Sequence, residues 1–153
     1  MSEKERLLDE LRRIYEGDAW HGESLTEILA GITSDKAFAK PIPAAHSIWE
    51  LVLHITSWNE TFSARLAGNP VTEPVYGDFP AIAETGERSW QETLQKLGRS
   101  QERLVEAIRK QDEAGFSKQF GDRDYTLSFF LHGILRHIVY HSGQIAILKK
   151  FQG

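Results

Sequence analysis

The last long segment of the chain, residues 124–150, constrains the fold most strongly. It reads DYTLSFFLHGILRHIVYHSGQIAILKK. Positions three and four residues apart share one helical face, and on this segment they are Leu127, Phe130, Ile134, His137, His141, Gln144 and Leu148. This spacing predicts a helix whose face packs against neighbouring helices. Leu, Phe and Ile are the residues expected on such a packing face. Two histidines one turn apart on it therefore need a separate explanation.

His137 and His141 need partners in the interior. Each imidazole carries two polar ring nitrogens, and burying them without partners costs about 1–3 kcal/mol. A His-x3-His pair on one helical face can supply two ligands to a single metal ion. From this helix alone, hydrogen-bonded core histidines and metal ligands are equally good interpretations.

The composition limits the classes of partner. The 153 residues suffice for one domain with a real core, and we expect a single domain over residues 1–153. The hydrophobic content of 41% and charged content of 26% are ordinary for a soluble globular protein. There is no cysteine, which excludes disulfides, a thiolate nucleophile and a Cys-ligated metal. A formal charge of -4, with no Lys/Arg run longer than two residues, argues against nucleic acid as a partner.

The sequence also lacks an apolar run of membrane-spanning length. The N-terminal stretch MSEKERLLDELRR is charged and amphipathic, unlike a secretory signal peptide. We therefore expect a cytoplasmic protein with no membrane association.

Hydrophobic periodicity predicts four long helices, at residues 1–16, 47–66, 89–110 and 124–150. Capping-box spacings at Ser47/Glu50 and Ser89/Glu92 mark two helix starts, and a third, Ser24/Glu27, begins a short helix. Residues 32–46 read as a connector with at most one short turn, near residue 35. Residues 69–87 form a long connection without helical periodicity, and such connections are often functional. We predict an all-α four-helix bundle with a long connection between the second and third helices and one short extra helix.

His54 decides between the two interpretations of the histidine pair. It lies in SIWELVLHITSW, three residues after Leu51 and four before Trp58, and therefore on an inward-facing side of its helix. One histidine from this helix and an i,i+4 pair from the last helix can form a three-histidine site. Three protein nitrogens with the remaining positions open are typical of a catalytic metal site. Imidazole ligation suits Zn, Ni, Cu or Fe better than Mg or Ca.

Three other residues are candidates for catalysis. His21 stands at a break between helices, where it could lie over a pocket, although a surface histidine in a turn is the commoner case. Glu50 lies one turn before His54 and could orient a ligand or act as a base, but capping explains it equally well. Gln144 could contact water bound to the metal or hydrogen-bond a ligand. No Asp or Glu lies on the buried face of the last helix, which argues against a carboxylate-rich di-iron site.

Three segments, AWHGESLTEILAGI, HSIWELVLHITSW and LHGILRHIVYHSGQIAILKK, carry a resemblance to a known family. The chain resembles the DinB-like superfamily, also called the YfiT-like metal-dependent hydrolases. The resemblance implies a four-helix bundle, frequent homodimers and a divalent metal, often nickel or zinc, held by three histidines. These correspond here to His54, His137 and His141. Some relatives are thiol transferases that use bacillithiol or a related low-molecular-weight thiol, and others isomerise or hydrolyse small molecules.

We therefore expect a metal-dependent enzyme that acts on a small molecule. It would transfer a thiol to an electrophile, with the thiol as cosubstrate, or hydrolyse its substrate with a water that the metal activates. The alternatives are a non-catalytic stress-response or binding module whose metal is structural or sensory, and a helical interaction protein with hydrogen-bonded histidines. A second apolar row around Trp90 and Leu97, together with the resemblance, predicts a homodimer.

Overall fold

The regular structure of the chain is helical. A computed structural model describes residues 1–152. These residues contain no β-strand, apart from an isolated β-bridge between Gln119 and Thr126. The elements are α1 (Glu3–Glu16), α2 (Leu25–Leu29), α3 (Ser34–Phe38), α4 (Ile48–Leu66), α5 (Glu87–Arg109), a 3-10 turn (Glu113–Gly115) and α6 (Leu127–Phe151). The all-α prediction is confirmed. Among the described residues, no helix is both long and apolar enough to cross a membrane.

Each of the four long helices contacts two of the others. Helix α4 packs against α5 and α6, and α1 packs against the same two helices. The short helix α2 lies against α1 and α6, and α3 lies against α4 and α5. The long helices all contribute fully buried side chains, among them Leu11, Trp49, Leu104 and Leu131. The contact between α4 and α6 places His54 opposite the histidine pair.

The prediction of one short extra helix was wrong. There are two short α-helices, and the second, α3, occupies the stretch predicted to hold at most one turn. The Thr33 hydroxyl accepts a hydrogen bond from the Lys36 N–H at the start of α3, and Ala37 is fully buried. A helix of five residues is too short to show a periodic apolar pattern. The sequence therefore does not predict α3, which is recognised only in the folded structure.

The predicted capping box at Ser89/Glu92 was also wrong. Helix α5 begins at Glu87, follows Gly86 and has no side-chain cap. The Glu87 carboxylate instead accepts a hydrogen bond from the Ser34 N–H at 2.9 Å, so it satisfies a donor at the start of α3. This contact joins residues that are 53 positions apart, so local spacing could not reveal it.

Helix α6 begins three residues later than predicted, at Leu127 instead of Asp124. The preceding chain is held in a turn by backbone hydrogen bonds, including Phe120 N–H to Tyr125 O and Leu127 N–H to Lys118 O, both 3.0 Å. The Thr126 hydroxyl then accepts the Phe129 N–H at 3.1 Å and caps the helix.

The apolar row proposed as a dimer surface is part of the core. Trp90 and Leu97 are 0% and 1% exposed, and the Trp90 indole N–H donates to the Ile32 carbonyl at 2.8 Å. Both residues are buried within a single copy of the chain, so they cannot contribute to an interface between copies.

The long connection, residues 67–86, has no regular structure but is attached along α4. The Ser57 hydroxyl donates to the Gly77 carbonyl at 2.7 Å, and the Thr61 hydroxyl accepts from the Val75 N–H at 3.0 Å. Because these two α4 residues lie one turn apart on the face that also carries His54, the connection passes directly over that histidine.

The predicted capping box at Ser47/Glu50 is confirmed, and its removal should be measurable. The Ser47 hydroxyl accepts the Glu50 N–H at 3.1 Å, and Ser47 is only 1% exposed. We expect Ser47→Ala to lower the free energy of unfolding by about 1 kcal/mol in urea denaturation, because a helix N–H loses its partner. Ser63→Ala is the control on the same helix. Its hydroxyl only bonds back to the Asn59 carbonyl, so the loss should be smaller. Equal losses in the two variants would contradict the capping role.

Candidate metal centre

Three imidazole nitrogens converge at the contact between α4 and α6. The Nε2 atom of His54 lies 3.1 Å from Nε2 of His137 and 3.0 Å from Nε2 of His141. His54 and His141 are buried and His137 is half-buried. The structure therefore brings together the three histidines that the sequence singled out, in a cluster that could hold a metal ion.

The hydrogen bonds behind two of these rings fix their tautomers. The Nδ1 atom of His54 lies 2.6 Å from the main-chain oxygen of Asp78, and Nδ1 of His141 lies 2.6 Å from Oε1 of Gln144. Both oxygens can only accept, so each Nδ1 carries the hydrogen and each Nε2 of a neutral ring presents a lone pair. Two lone pairs 3.0 Å apart repel each other, and a shared cation would remove that repulsion.

The third ring is held by packing. Nδ1 of His137 is buried and has no hydrogen-bond partner within residues 1–152. The ring lies among Trp58 and Phe62, with centroid separations of 6.1 and 5.6 Å. Because nothing compensates the burial of Nδ1, only a partner at Nε2 can offset the cost of burying this imidazole.

Burial keeps the three histidines neutral, which is the protonation state that binds metals. Burial, followed by the neighbouring charges of His141 and His54, lowers the pKa of His137 to about 3, although Asp78 acts in the opposite direction. Burial also lowers the pKa of His54 and of His141, although the hydrogen bonds to Asp78 and to Gln144 act in the opposite direction.

The spacing of the nitrogens suits one ion. Tetrahedral ligand nitrogens roughly 2.0–2.1 Å from zinc lie about 3.3–3.4 Å from one another. Nε2 of His54 is 3.0–3.1 Å from the other two, so the rings would need to move apart by only a few tenths of an ångström. The all-nitrogen donor set favours a borderline ion such as zinc or nickel over magnesium or calcium.

Asp78 is a site residue that the sequence did not reveal. Its main-chain oxygen holds His54, and its carboxylate Oδ1 accepts the Trp58 indole N–H at 2.8 Å and lies 3.3 Å from Nδ1 of His54. Next to it, Phe79 stacks on His54 with centroids 4.2 Å apart and an interplanar angle of 15°. The other face of Phe79 stacks on His46 at 3.6 Å. The connection thus positions the imidazole of His54, a candidate metal ligand, through a hydrogen bond and through stacking.

The three candidate catalytic residues have different environments. Gln144 hydrogen-bonds His141, one of the two roles considered for it. The Glu50 carboxylate accepts the Ser47 N–H at 2.6 Å and completes the helix cap. Burial would raise the pKa of Glu50, but the hydrogen bonds from Ser47 and the charge of Lys40 hold it below its usual value, so this carboxylate is a weak base. His21 is exposed in the turn between α1 and α2, outside the histidine cluster.

The clustered histidines lie within the part of the chain that matches a known protein family. The model of the DinB superfamily matches residues 6–145, a range that contains all three clustered histidines and Asp78. A search of the curated proteins gave no match, and a search of the solved structures gave none either.

The lowered pKa of His137 predicts that metal-free protein loses stability in acid. Histidines of the unfolded chain bind protons below about pH 6.5, whereas native His137 stays neutral down to about pH 3. Between these values the unfolded state binds more protons, so the free energy of unfolding should fall as the pH falls.

Urea denaturation across that range, after removal of metal with a chelator, measures this slope. His137→Gln should reduce the slope, because it removes the buried imidazole whose pKa is lowered. A slope in His137→Gln equal to that of the parent protein would contradict the assignment.

Proposed function

The chain belongs to the DinB superfamily, and on that premise we propose that it is a metal-dependent enzyme acting on a small molecule. The metal would be a divalent ion, nickel or zinc, bound by His54, His137 and His141. The observation that carries this proposal is the convergence of three Nε2 atoms, two of them with lone pairs fixed by hydrogen bonds at Nδ1. We further propose that α1, α4, α5 and α6 form a four-helix bundle, since each contacts two of the others.

A bound divalent ion supplies a Lewis acid that lowers the pKa of a coordinated thiol or water. The protein's own residues orient the ligands and limit access of water. Asp78 and Gln144 fix two of the rings. Phe62, which is 7% exposed, and Trp58 form an apolar wall beside His137. The low polarity of this wall strengthens electrostatic interactions at the site.

Thiol transfer is the reaction that we favour, with a low-molecular-weight thiol as cosubstrate. The thiol gives up its proton, its sulfur forms a bond to an electrophilic carbon, and the leaving group departs with the electron pair of the broken bond and takes up a proton. The chain has no cysteine and therefore no protein thiolate, and within residues 1–152 no carboxylate belongs to the three-histidine cluster, which favours a nucleophile from outside the protein. Hydrolysis, with water in place of the thiol, satisfies the same requirement.

A non-catalytic stress-response or binding module with a structural or sensory metal is the alternative. A structural zinc site is usually closed by a fourth protein ligand. Within the described part of the chain the cluster contains three ligating residues, which supports an open, catalytic arrangement.

Alanine substitution tests the metal site. We expect His54→Ala, His137→Ala and His141→Ala each to abolish stoichiometric metal binding, because each removes one of three ligands. The helical fold should persist, because the buried apolar side chains remain. The measurements are elemental analysis of protein purified without a histidine tag, and circular dichroism.

His132→Ala is the matched control, because it lies on α6 with its Nε2 3.4 Å from Glu3 on α1, outside the cluster. Full metal content in all three variants would refute the site. Loss of the folded state in every one of them would instead make the metal structural.

An activity assay separates the enzyme from the binding module. Metal-loaded protein should conjugate a low-molecular-weight thiol to an electrophile faster than the buffer reaction, and His141→Ala should reduce the rate to that of buffer. Gln144→Ala should retain metal with weaker affinity, by roughly 10–100-fold, because an outer-shell partner of His141 is lost. Conjugation at the same rate by metal-free protein would contradict metal dependence. A metal-loaded protein inactive towards both thiol conjugation and ester hydrolysis would favour the binding module.

We also propose that the protein forms a homodimer. The outward face of α6 carries Tyr140, Ile147 and Phe151, which are 63–66% exposed and could pack against a second copy. Sedimentation should show a dimer at micromolar concentration, and Ile147→Lys should shift it towards the monomer by placing a charge in the apolar face. A monomer at every concentration would contradict this prediction.

A further inference from the structure

A cleft separate from the histidine cluster lies between the C-terminal end of α4 and the turn that precedes α6. It has a volume of about 650 Å³ and is lined by Arg65, by residues 68–72 and by residues 120–123. Two guanidinium groups, those of Arg65 and Arg123, line the same cleft.

The hydrogen bonds of Arg65 are to neutral groups. Its Nε donates to the Val71 carbonyl and its Nη2 to the Thr72 carbonyl, both at 2.9 Å, and its guanidinium lies over the Trp58 ring at 5.5 Å. These contacts fix the guanidinium in place without neutralising its charge. No carboxylate within residues 1–152 forms an ion pair with it.

Arg123 has even fewer contacts. Its guanidinium lies over the Phe120 ring at 5.0 Å, and in the described part of the chain its side chain forms no hydrogen bond or ion pair. Asp122 also lines the cleft, yet it pairs with neither arginine within residues 1–152. The donors of Arg123 therefore remain available to a ligand.

The two positive charges influence each other. Burial lowers the pKa of Arg65, and the charge of Arg123 lowers it further, whereas Tyr125 and Glu73 act in the opposite direction. Two guanidinium groups that repel each other across a cleft would both be stabilised by an anion between them. The Nε and Nη2 groups of Arg65 already donate to carbonyls, so Arg65 contributes mainly its charge, whereas the free planar fork of Arg123 matches the two oxygens of a carboxylate or phosphate.

We propose that this cleft binds the oxyanion group, carboxylate or phosphate, of a small molecule between Arg65 and Arg123. The ring of Phe120 lines the cleft beneath the Arg123 guanidinium, and the Arg65 guanidinium lies over the ring of Trp58. Trp58 also connects the cleft with the histidine cluster, since its ring centroid lies 6.3 Å from that of His54 and 6.1 Å from that of His137. The anion site depends on the two arginines and does not require a metal at the histidines.

Titration of metal-free protein with inorganic phosphate and, separately, with acetate tests the proposal at constant ionic strength. Nuclear magnetic resonance of the arginine Nε–H groups reports on each guanidinium, and its signals for Arg65 and Arg123 should shift and saturate together. Saturation by phosphate alone would identify a phosphate group as the ligand, and saturation by acetate alone a carboxylate. Removing metal beforehand keeps a failure of the proposed metal function separate from a failure of this site.

Arg123→Gln is the informative variant, because its side chain forms no hydrogen bond that the fold would lose, whereas Arg65 holds the backbone of residues 71 and 72. We expect it to raise the dissociation constant of the saturating anion by about tenfold or more. Arg99→Gln is the charge-matched control, on the exposed surface of α5 and outside the cleft, and should bind like the parent protein. Shifts that increase without saturation for both anions, or equal weakening in the two variants, would overturn the proposal.

Discussion

Three neutral imidazoles whose nitrogens face one another across the contact of α4 and α6 are the constraint on which the rest of the site depends. Apolar side chains at these positions would pack without further requirements. Histidines at these positions need a hydrogen-bond partner for Nδ1, on the side away from the cluster, and a partner for Nε2, which points into the cluster. The structure provides the first at His54 and His141, and it brings the three Nε2 atoms together where a metal ion could satisfy them. The desolvation that lowers the three pKa values also maintains the neutral, metal-binding form.

The long connection after α4 acquires a role from this constraint. It forms no helix or strand, yet hydrogen bonds to Ser57 and Thr61 attach it along the helix that carries His54. Its Asp78 carbonyl then fixes the tautomer of that histidine, while Phe79 stacks on the ring. A shorter connection could join the same two helices, but it would leave Nδ1 of His54 without an acceptor.

The sequence was sufficient to predict the parts of the fold and site that repeat with the period of a helix. His54, His137 and His141 were identifiable because helical spacing places each on an inward face. Helix α3 was missed because five residues show no period, and the start of α5 was misplaced because this helix follows Gly86 without a side-chain cap, so the spacing of Ser89 and Glu92 does not mark its start. Asp78 and the pair Arg65 and Arg123 could not be identified, because the path of a connection depends on tertiary hydrogen bonds.

X-ray absorption at the metal edge tests the central claim most directly. Protein loaded with one equivalent of zinc or nickel should show three imidazole nitrogens at roughly 2.0–2.2 Å, with the remaining ligands light atoms from solvent. His54→Ala should bind no stoichiometric metal and should lose this spectrum, because Nε2 of His54 lies within 3.1 Å of the Nε2 atoms of His137 and His141. A spectrum dominated by oxygen ligands, or one with the same imidazole count after the His54 substitution, would contradict a metal bound by these three histidines.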